Sequence, residues 1–268
     1  MSAFEPICLI GWGAISQRVA ELLSARDAPF RIVAVAVRDP GRDRPALPAS
    51  ARLVAGPDDL AGTGATLAVE AAGRDSVVPF GRAALTAGMD FATSSTSAFV
   101  DEAHLAELVS LAHTMRRRLL VPPGALGGMD ALAAAARLPL TRVDHRIVKP
   151  PGAWRGTAAE TLCDLDQIER AVAFFTGSAR AAADRFPQNA NVAVITSLAG
   201  VGLDRTQVTL IADPAAQTNR HEIHAEGDFG VLDLCLNNRP LAANPKSSEM
   251  TALSLVRLIE NRACGLVI

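Results

Sequence analysis

Short apolar runs alternate with helix-spaced apolar positions along the first part of the chain. The runs are typical of buried strands, and they stand at residues 7–10, 32–37, 67–70, 89–93 and 118–121. Apolar residues with helical spacing follow the first run, and further helical stretches lie at about residues 76–87 and 101–115. Strands that alternate with helices predict βαβ units and a doubly wound parallel sheet.

The pattern changes after Pro122 and Pro123. Beyond them, the periodicity predicts helices at about residues 129–136, 166–185 and 191–198, and strands at about 143–148, 208–212 and 220–229. Residues 247–261 again show helical spacing, and Ser247 or Ser248 stands where an N-cap is expected. Because no low-complexity linker intervenes, we take the change of pattern as the domain boundary.

Charge and composition argue against two classes of partner. The chain has 26 basic and 28 acidic residues, so it lacks the basic surface that nucleic acid requires. No apolar run approaches the roughly 20 residues that cross a bilayer, so no membrane partner is expected. The four cysteines form no CxxC pair, and the first residues lack a signal-peptide pattern, so we expect free thiols and a cytoplasmic location.

Two residue types are rare in a way that bears on chemistry. The chain has no tyrosine, so it cannot contain the Tyr/Lys catalytic pair of short-chain dehydrogenases. Lys149 and Lys246 are the only lysines among 26 basic residues. Either they persist by chance, or they mark sites where a compact ammonium is preferred to a planar guanidinium.

A glycine-rich turn links the first strand to the first helix. Gly11, Gly13 and Ser16 form a G-x-G-x-x-S pattern, with Ala14 and Ile15 between its second and third positions. The first glycine permits a tight turn, and the second lets the backbone approach a pyrophosphate at the helix N-terminus. Small Ser16 replaces the glycine that normally allows close helix–strand packing. In its strand–turn–helix setting, the pattern predicts dinucleotide binding.

The residue after the second strand bears on the choice of dinucleotide. An NAD-selective site places Asp or Glu there, whereas this chain has Arg38 followed by Asp39. Either Arg38 is a solvated loop residue, or it receives the 2′-phosphate of NADP. The cofactor is therefore expected to be NAD or NADP.

Together these patterns predict an α/β protein with two domains. An N-terminal Rossmann-type domain, with a doubly wound parallel sheet, is expected over residues 1–123. A second, α+β domain that binds the substrate is expected over residues 124–246. Residues 247–268 are expected to form a C-terminal helix that packs back on the first domain.

Four further blocks resemble motifs of the L-aspartate dehydrogenase family, in the same order. They are GALGGMD at residues 124–130, FPQNANVA at 186–193, NRHEI at 219–223 and NPKSS at 244–248. With the glycine-rich turn they span nearly the whole chain. The resemblance implies oxidative deamination of L-aspartate to iminoaspartate, which hydrolyses to oxaloacetate and ammonia.

The resemblance also implies roles for individual residues. Ala125 and Asn191 match the family's contacts with the nicotinamide cofactor, and His221 matches its catalytic histidine. The chain departs from the family's pattern at Ser16, which bears on cofactor affinity. It departs again in the hydroxyl-rich loop of residues 93–97, which bears on substrate preference.

The residues alone leave alternatives open in two of these blocks. Residues 124–130 open a predicted helix, so their backbone N–H groups either face an anion or carboxamide or belong to a packing turn. Asn189 and Asn191 stand near a predicted helix start, where they are either binding residues or helix caps.

Strand alternation separates the two histidines near the NRHEI block. His221 and Ile223 share the apolar, inward face, whereas Glu222 and His224 share the polar face. An inward histidine is either a hydrogen-bonded core residue or a base, and its ordinary pKa of about 6.5 suits proton transfer. Because the two histidines point oppositely and no ligand cluster accompanies them, no metal is expected.

The two carboxylates of L-aspartate need cations or several donors. Lys149, Lys246 and Arg220 are the candidate cations, since each lies in or beside a motif, although Arg220 alternates with His221 and is expected to point away from the cleft. Asn189 is a further candidate substrate-binding residue. The expected partner is a small molecule, L-aspartate or oxaloacetate plus ammonia, and the second domain's sheet offers a surface for a homodimer.

Two other functions stay open from the sequence. One is a dehydrogenase that acts on another amino or hydroxy dicarboxylate on the same scaffold. The other is a non-catalytic nucleotide sensor, which would have little reason to hold a base such as His221 beside the nicotinamide.

Overall fold

The computed structural model describes residues 4–26, 29–44, 46–187 and 190–267, and of Pro245 and Lys246 only the backbone. The chain divides into two compact units. Unit 1 comprises residues 1–122 together with 251–268, and unit 2 comprises residues 123–250.

Helices and strands account for most of the described chain. The helices are α1 (Ala14–Ala25), α2 (Arg74–Thr86), α3 (Glu102–Thr114), α4 (Met129–Ala135), α5 (Ala179–Arg185), α6 (Ala190–Ala199) and α7 (Glu249–Glu260). The strands are β1 (Glu5–Ile10), β2 (Phe30–Ala36), β3 (Arg52–Val54), β4 (Leu67–Glu70), β5 (Asp90–Thr93), β6 (Leu119–Leu120), β7 (Leu140–Lys149), β8 (Val172–Ser178), β9 (Gln207–Ala212), β10 (Asn219–Gly227), β11 (Gly230–Asn238), β12 (Pro240–Leu241) and β13 (Asn244–Ser248). None of the described helices combines the length and the apolar character that crossing a lipid bilayer requires.

Unit 1 is built on a six-stranded sheet in the order β3-β2-β1-β4-β5-β6. Every neighbouring pair is parallel. The strand order reverses between β1 and β4, and sheets of this kind bind ligands at the carboxyl ends of the strands beside such a reversal. The edge strand β3 was not predicted, because its three residues are too few to show a period.

Helices cover both faces of this sheet. Ile7 of β1 lies in one buried cluster with residues of α1 and with Leu255 of α7. Phe91 of β5 packs against α2, since a Cβ on Gly81 would lie 3.0 Å from its ring. Ala92, the next residue of β5, belongs to the cluster that contains Ile7 and Leu255. Neighbouring residues of a strand point to opposite faces of the sheet, so α2 lies on the face opposite to α1 and α7. The predicted doubly wound parallel sheet is confirmed.

The last helix begins at a serine cap. Ser248 Oγ accepts the backbone N–H of Met250 at 3.2 Å, so of the two predicted caps Ser248 fills the role. The buried side of α7 lies in the core of unit 1 and comprises Ala252, Leu255, Val256 and Ile259.

Unit 2 contains a five-stranded sheet in the order β11-β10-β7-β9-β8. β7 and β9 are parallel, and the other neighbours are antiparallel. Buried and partly exposed residues alternate along β10, so one face of the sheet is covered. α6 lies on the covered face, since its Thr196 reaches the buried His145 of β7. The predicted α+β architecture is confirmed.

The prediction of one helix over residues 166–185 is wrong in its first part. Val172–Ser178 forms β8, which pairs antiparallel with β9, and only Ala179–Arg185 is helical. Aromatic and β-branched residues in this segment favour a strand. Ser178 ends the strand and starts the helix, because its Oγ accepts the N–H of Ala181 at 3.2 Å.

Candidate active site

The glycine-rich turn of unit 1 lines a cavity at the carboxyl end of β1. Gly11 has a φ of +90°, and a Cβ there would lie 2.9 Å from Cβ of Ala72, so glycine is required. Gly13 is the N-cap of α1, and a Cβ there would meet no atom within 4 Å. The cavity beside the turn has a volume of about 690 Å³, and its lining includes Gly11, Gly13 and Arg38.

The first turn of α1 adds partial positive charge beside this turn. Ala14 and Ile15 begin the helix, and its first N–H groups have no acceptor within the helix. Ser16 stands where the third glycine of the fingerprint is expected, and it is only 2% exposed. The serine side chain is therefore accommodated inside the packing of α1.

Arginine side chains line the same cavity. Arg38 follows the end of β2, and Arg42, Arg44 and Arg74 join it in the lining. Asp39 also lines the cavity, and its Oδ1 accepts the N–H of Gly41 at 3.0 Å in a local turn. The lining also includes Asp43 and Asp75, so it carries both signs of charge, and the guanidinium groups are the ones that suit phosphate groups.

A buried carboxylate shapes the loop that follows β4. Glu70 is 0% exposed, and its Oε1 accepts the N–H groups of Ala72 at 2.7 Å and Gly73 at 2.8 Å. Ser76 Oγ donates to the same oxygen at 3.0 Å. Ala72 and Gly73 line the cavity, so Glu70 fixes the backbone on that side of it.

Hydroxyl groups of residues 93–97 bind the same glutamate. Thr93 Oγ1 donates to Glu70 Oε2 at 2.6 Å, and Ser95 Oγ donates to Oε1 at 2.8 Å. Ser94 Oγ donates to the backbone carbonyl of Glu70 at 3.1 Å. From the sequence, we related this loop to substrate preference. In the structure, these three hydroxyls instead form hydrogen bonds with the buried Glu70 of unit 1.

In unit 2, His221 belongs to a buried polar cluster. It is 3% exposed, and its Nδ1 lies 3.1 Å from Nε2 of His145 on β7. Burial lowers the pKa of His145 to about 3. Burial lowers the pKa of His221 as well, and the neighbouring His145 and Lys149 lower it further. Both imidazoles are therefore neutral at neutral pH, and His221 can accept a proton.

Lys149 shares this face of the sheet. His221 pairs with Ile147 across β10 and β7, so Lys149 stands diagonally beside it. Lys149 Nζ lies 5.0 Å from the ring centroid of Trp154, which is a cation–π contact. Burial lowers the pKa of Lys149 to about 8, so it still carries its charge at neutral pH. A cation and a neutral base thus lie close together.

The glycine-rich block before α4 packs closely on its neighbours. A Cβ on Gly124 would lie 3.3 Å from Ile195 of α6, and a Cβ on Gly128 would lie 2.6 Å from Leu234. The carbonyl of Ala125 accepts a hydrogen bond from Asn238 Nδ2 at 2.6 Å. Asn191 is exposed in the first turn of α6, the helix that the block approaches.

Two of the candidate substrate-binding residues lie wholly or partly outside the described part of the chain. Asn189 lies outside the described residues, and of Lys246 only the backbone, in β13, is described. Among the residues that are described, no group of three or more His, Cys, Asp or Glu side chains could hold a metal ion.

Arg220 and His224 lie with acidic partners away from His221. Arg220 Nε lies 2.8 Å from a carboxylate oxygen of Glu222. His224 Nδ1 lies 2.7 Å from Asp233, and its hydrogen bonds with Asp233 and Glu226 raise its pKa. The predicted strand register, with His221 buried and His224 on the polar face, is confirmed.

Sequence reasoning missed Glu70, His145 and Thr196. Glu70 was detectable as the one charge that ends an otherwise apolar strand. His145 was detectable by alternation, since it shares the inward face of β7 with Val143 and Ile147. Thr196 lies inside an apolar helix and carried no sequence signal.

Both parts of the chain match known family models. Residues 130–262 match the model described as aspartate dehydrogenase, C-terminal. Residues 11–122 match the NAD binding domain of homoserine dehydrogenase. Among solved structures, aspartate dehydrogenase from Thermotoga maritima is similar with a TM-score of 0.81 and 23% identity, and the match covers 98% of this chain and 99% of that one. This likeness shows a shared fold.

Curated relatives are similar over the full length. The L-aspartate dehydrogenase of Brucella anthropi is 62% identical over 268 residues, and the match covers 100% of both chains. The L-aspartate dehydrogenase of Pseudomonas aeruginosa is 42% identical over 272 residues, covering 96% of this chain and 97% of the relative. The family predicted from the motifs is confirmed, and the chain belongs to the aspartate dehydrogenase family.

Proposed function

We propose that the chain catalyses the NAD(P)-dependent oxidative deamination of L-aspartate to iminoaspartate, which hydrolyses to oxaloacetate and ammonia. The observation that carries the proposal is the neutral, buried His221 beside the cation Lys149. It occurs in a chain that is 62% identical, over its full length, to an L-aspartate dehydrogenase. The reaction needs a base, a cation for each carboxylate and a hydride acceptor.

The cavity of unit 1 fits a dinucleotide. The open space at Gly13 and the first N–H groups of α1 suit a pyrophosphate. Arg38, Arg42 and Arg44 suit a further phosphate on the adenosine ribose. When bound, the oxidised nicotinamide accepts a hydride from the α-carbon of the substrate.

Arg38 gives a first test of cofactor choice. Because it lines the cavity where an NAD-selective site has an acid, NADP is expected to bind at least as well as NAD. Arg38→Asp is expected to weaken NADPH binding by about 1–3 kcal/mol more than NADH binding, since a charge-assisted contact is lost. Fluorescence titration with both dinucleotides measures the difference.

A matched variant controls for charge alone. Arg31→Asp places the same charge change on an exposed position of β2 and is expected to leave both dissociation constants nearly unchanged. Equal losses of NADH and NADPH affinity in Arg38→Asp would contradict a role in phosphate binding.

His221 is the proposed base. Its Nδ1 faces His145, which leaves Nε2 to take a proton from the substrate ammonium or from the water that attacks iminoaspartate. The lowered pKa keeps His221 deprotonated at neutral pH, as a base requires. Ala125 and Asn191 are the cofactor contacts that family resemblance implies in unit 2.

Lys149 is the proposed ligand of a substrate carboxylate. Its ammonium lies close enough to lower the pKa of His221, so a carboxylate held there would lie beside the base. Lys246 and Asn189 complete the proposed substrate-binding set.

Lys149→Met is expected to raise the KM for L-aspartate by about 10–100-fold while sparing the KM for the cofactor, because a charged hydrogen bond is lost. The pH dependence gives a second readout. Lys149 is charged below its pKa of about 8, so the wild-type KM should rise as the pH increases through that value. In Lys149→Met this rise should be absent. Steady-state kinetics across the pH range measure both effects.

Arg146→Met is the matched control, because Arg146 lies on the same strand but pairs with Glu222 on the polar face. Its KM for L-aspartate should stay near that of the wild type. Similar kinetic changes in Arg146→Met and Lys149→Met would argue against carboxylate binding by Lys149.

The substrate is tested with the purified protein and a panel of amino and hydroxy acids, each with NAD⁺ and NADP⁺. Formation of the reduced nicotinamide is followed by its absorbance. L-Aspartate is expected to give the highest kcat/KM. A preference for another dicarboxylate would favour the alternative function, a dehydrogenase that acts on another amino or hydroxy dicarboxylate. Cofactor binding without oxidation of any compound would favour a sensor.

The assembly and location are part of the same proposal, as a cytoplasmic homodimer. All four cysteines are free thiols, as is usual in a reducing compartment. The polar face of the sheet in unit 2 carries Arg146, Glu222 and His224, and both signs of charge suit a self-complementary contact. Light scattering of the purified protein measures the assembly.

A further inference from the structure

A buried chain of hydrogen bonds runs from the backbone of α6 to His221. Thr196 Oγ1 lies 3.0 Å from the carbonyl oxygen of Val192 and 3.0 Å from His145 Nδ1. His145 Nε2 lies 3.1 Å from His221 Nδ1. Thr196 and His145 are 0% exposed and His221 is 3% exposed, so water does not compete for these bonds.

The donor at each step follows from the chemistry of the groups. A carbonyl oxygen only accepts, so the Thr196 hydroxyl donates its single hydrogen to Val192. Thr196 Oγ1 then accepts from His145, which carries its proton on Nδ1. Nε2 of the neutral His145 accepts in turn from the Nδ1–H of His221. His221 is left with an unprotonated Nε2.

We propose that His145 and Thr196 are positioning residues that hold His221 in its Nδ1–H tautomer, with Nε2 as the proton-accepting atom. The proposal rests on the proposed function, in which His221 is the base. A free imidazole exchanges between two tautomers, and the hydrogen bond at one nitrogen decides which nitrogen keeps the lone pair. We call the hydrogen-bonded chain Thr196–His145–His221 the histidine relay. This relay selects the His221 tautomer that presents a lone pair at Nε2.

The relay orients His221 without charging it. In a Ser-His-Asp triad the orienting group is a carboxylate, which also stabilises the imidazolium. Here the group is His145, and burial keeps it neutral by lowering its pKa to about 3. Because His145 carries no negative charge and does not stabilise the imidazolium, His221 readily releases a proton that it takes up during the reaction.

The tautomer is measured directly in the wild-type protein. Long-range ¹H–¹⁵N spectra of the labelled, cofactor-free protein separate protonated from unprotonated ring nitrogens, and His221→Ala assigns the His221 signals by their loss. We expect His221 to be protonated at Nδ1 and unprotonated at Nε2. The opposite assignment would overturn the proposal. This measurement does not depend on which compound the enzyme oxidises.

Kinetics test whether the relay matters for the reaction. Thr196→Val removes the hydroxyl at nearly constant volume, and it should lower kcat by about 10–100-fold, the effect known for the hydrogen-bond partners that orient metal-bound histidines. The KM for the cofactor should stay unchanged, and the His221 spectrum should show a mixture of tautomers. Thr196→Ser restores the hydroxyl and should recover most of the lost kcat.

Ser197→Ala is the matched control on α6. It also removes a buried hydroxyl that donates to a helix carbonyl, that of Ala193 at 2.8 Å. If Thr196→Val lowers thermal stability as Ser197→Ala does, and leaves kcat and the tautomer as in the wild type, the relay is only structural and the proposal fails. If the wild type does not oxidise L-aspartate, the proposed function fails, and the spectra still decide the tautomer.

Discussion

His221→Ala is expected to lower kcat for L-aspartate by about 10²–10⁴-fold, the range that general-base catalysis contributes. The variant removes the imidazole that we propose as the base, in unit 2, whereas the glycine-rich turn and the arginine-lined cavity lie in unit 1. Dissociation constants for NADH and NADPH should therefore change little. Steady-state kinetics and fluorescence titration measure the two effects on the same preparation.

His224→Ala serves as the control, because His224 lies on the same strand and the opposite face. Its ring binds Asp233 and Glu226 at the surface, so its loss should change kcat far less. Comparable losses in the two variants would show that neither histidine acts as the base.

Glu70→Ala is expected to lower the free energy of unfolding by about 3–5 kcal/mol, because buried donors lose their acceptor. The affected groups are the N–H groups of Ala72 and Gly73 and the hydroxyls of Thr93 and Ser95. Dinucleotide binding should weaken as well, since the loop that lines the cavity loses its anchor. Urea denaturation and cofactor titration measure the two quantities.

Two further variants are compared with Glu70→Ala for their loss of stability. Glu70→Gln keeps the shape but replaces one accepting oxygen with a donor, so its loss of stability should be intermediate. Glu107→Ala removes an exposed carboxylate that pairs with Arg82, and it should change the stability far less. A Glu70→Ala loss as small as that of Glu107→Ala would refute the anchoring role.

The parallel sheet of unit 1 was predictable because its signals are local. The apolar run of β1, the turn at Gly11 and Gly13 and the helical spacing of α1 follow one another within one βαβ unit. The inward position of His221 was predictable for the same reason, since a strand's side chains alternate with a period of two.

The remaining features depend on partners far along the chain. Residues 172–178 form a strand because they pair with β9, whereas the periodicity of the segment alone predicted a helix. Glu70 gains its role from hydroxyls that follow β5, and His145 gains its role from Thr196 on α6. No local pattern reports such pairings, so sequence reasoning identified the proposed base but not the groups that we propose to orient it.

The core of unit 1 joins early and late parts of the chain, since Ile7 of β1 packs in one cluster with Leu255 and Ile259 of α7. A ribosome makes β1 long before α7, so the nucleotide-binding unit cannot complete its core until α7 has emerged. Residues 123–250 are continuous and emerge during that interval, while the apolar surface of β1 and α1 stays open to chaperones or to aggregation. We therefore expect a nonsense mutation just before α7 to abolish cofactor binding, because the core of unit 1 loses the buried side of α7.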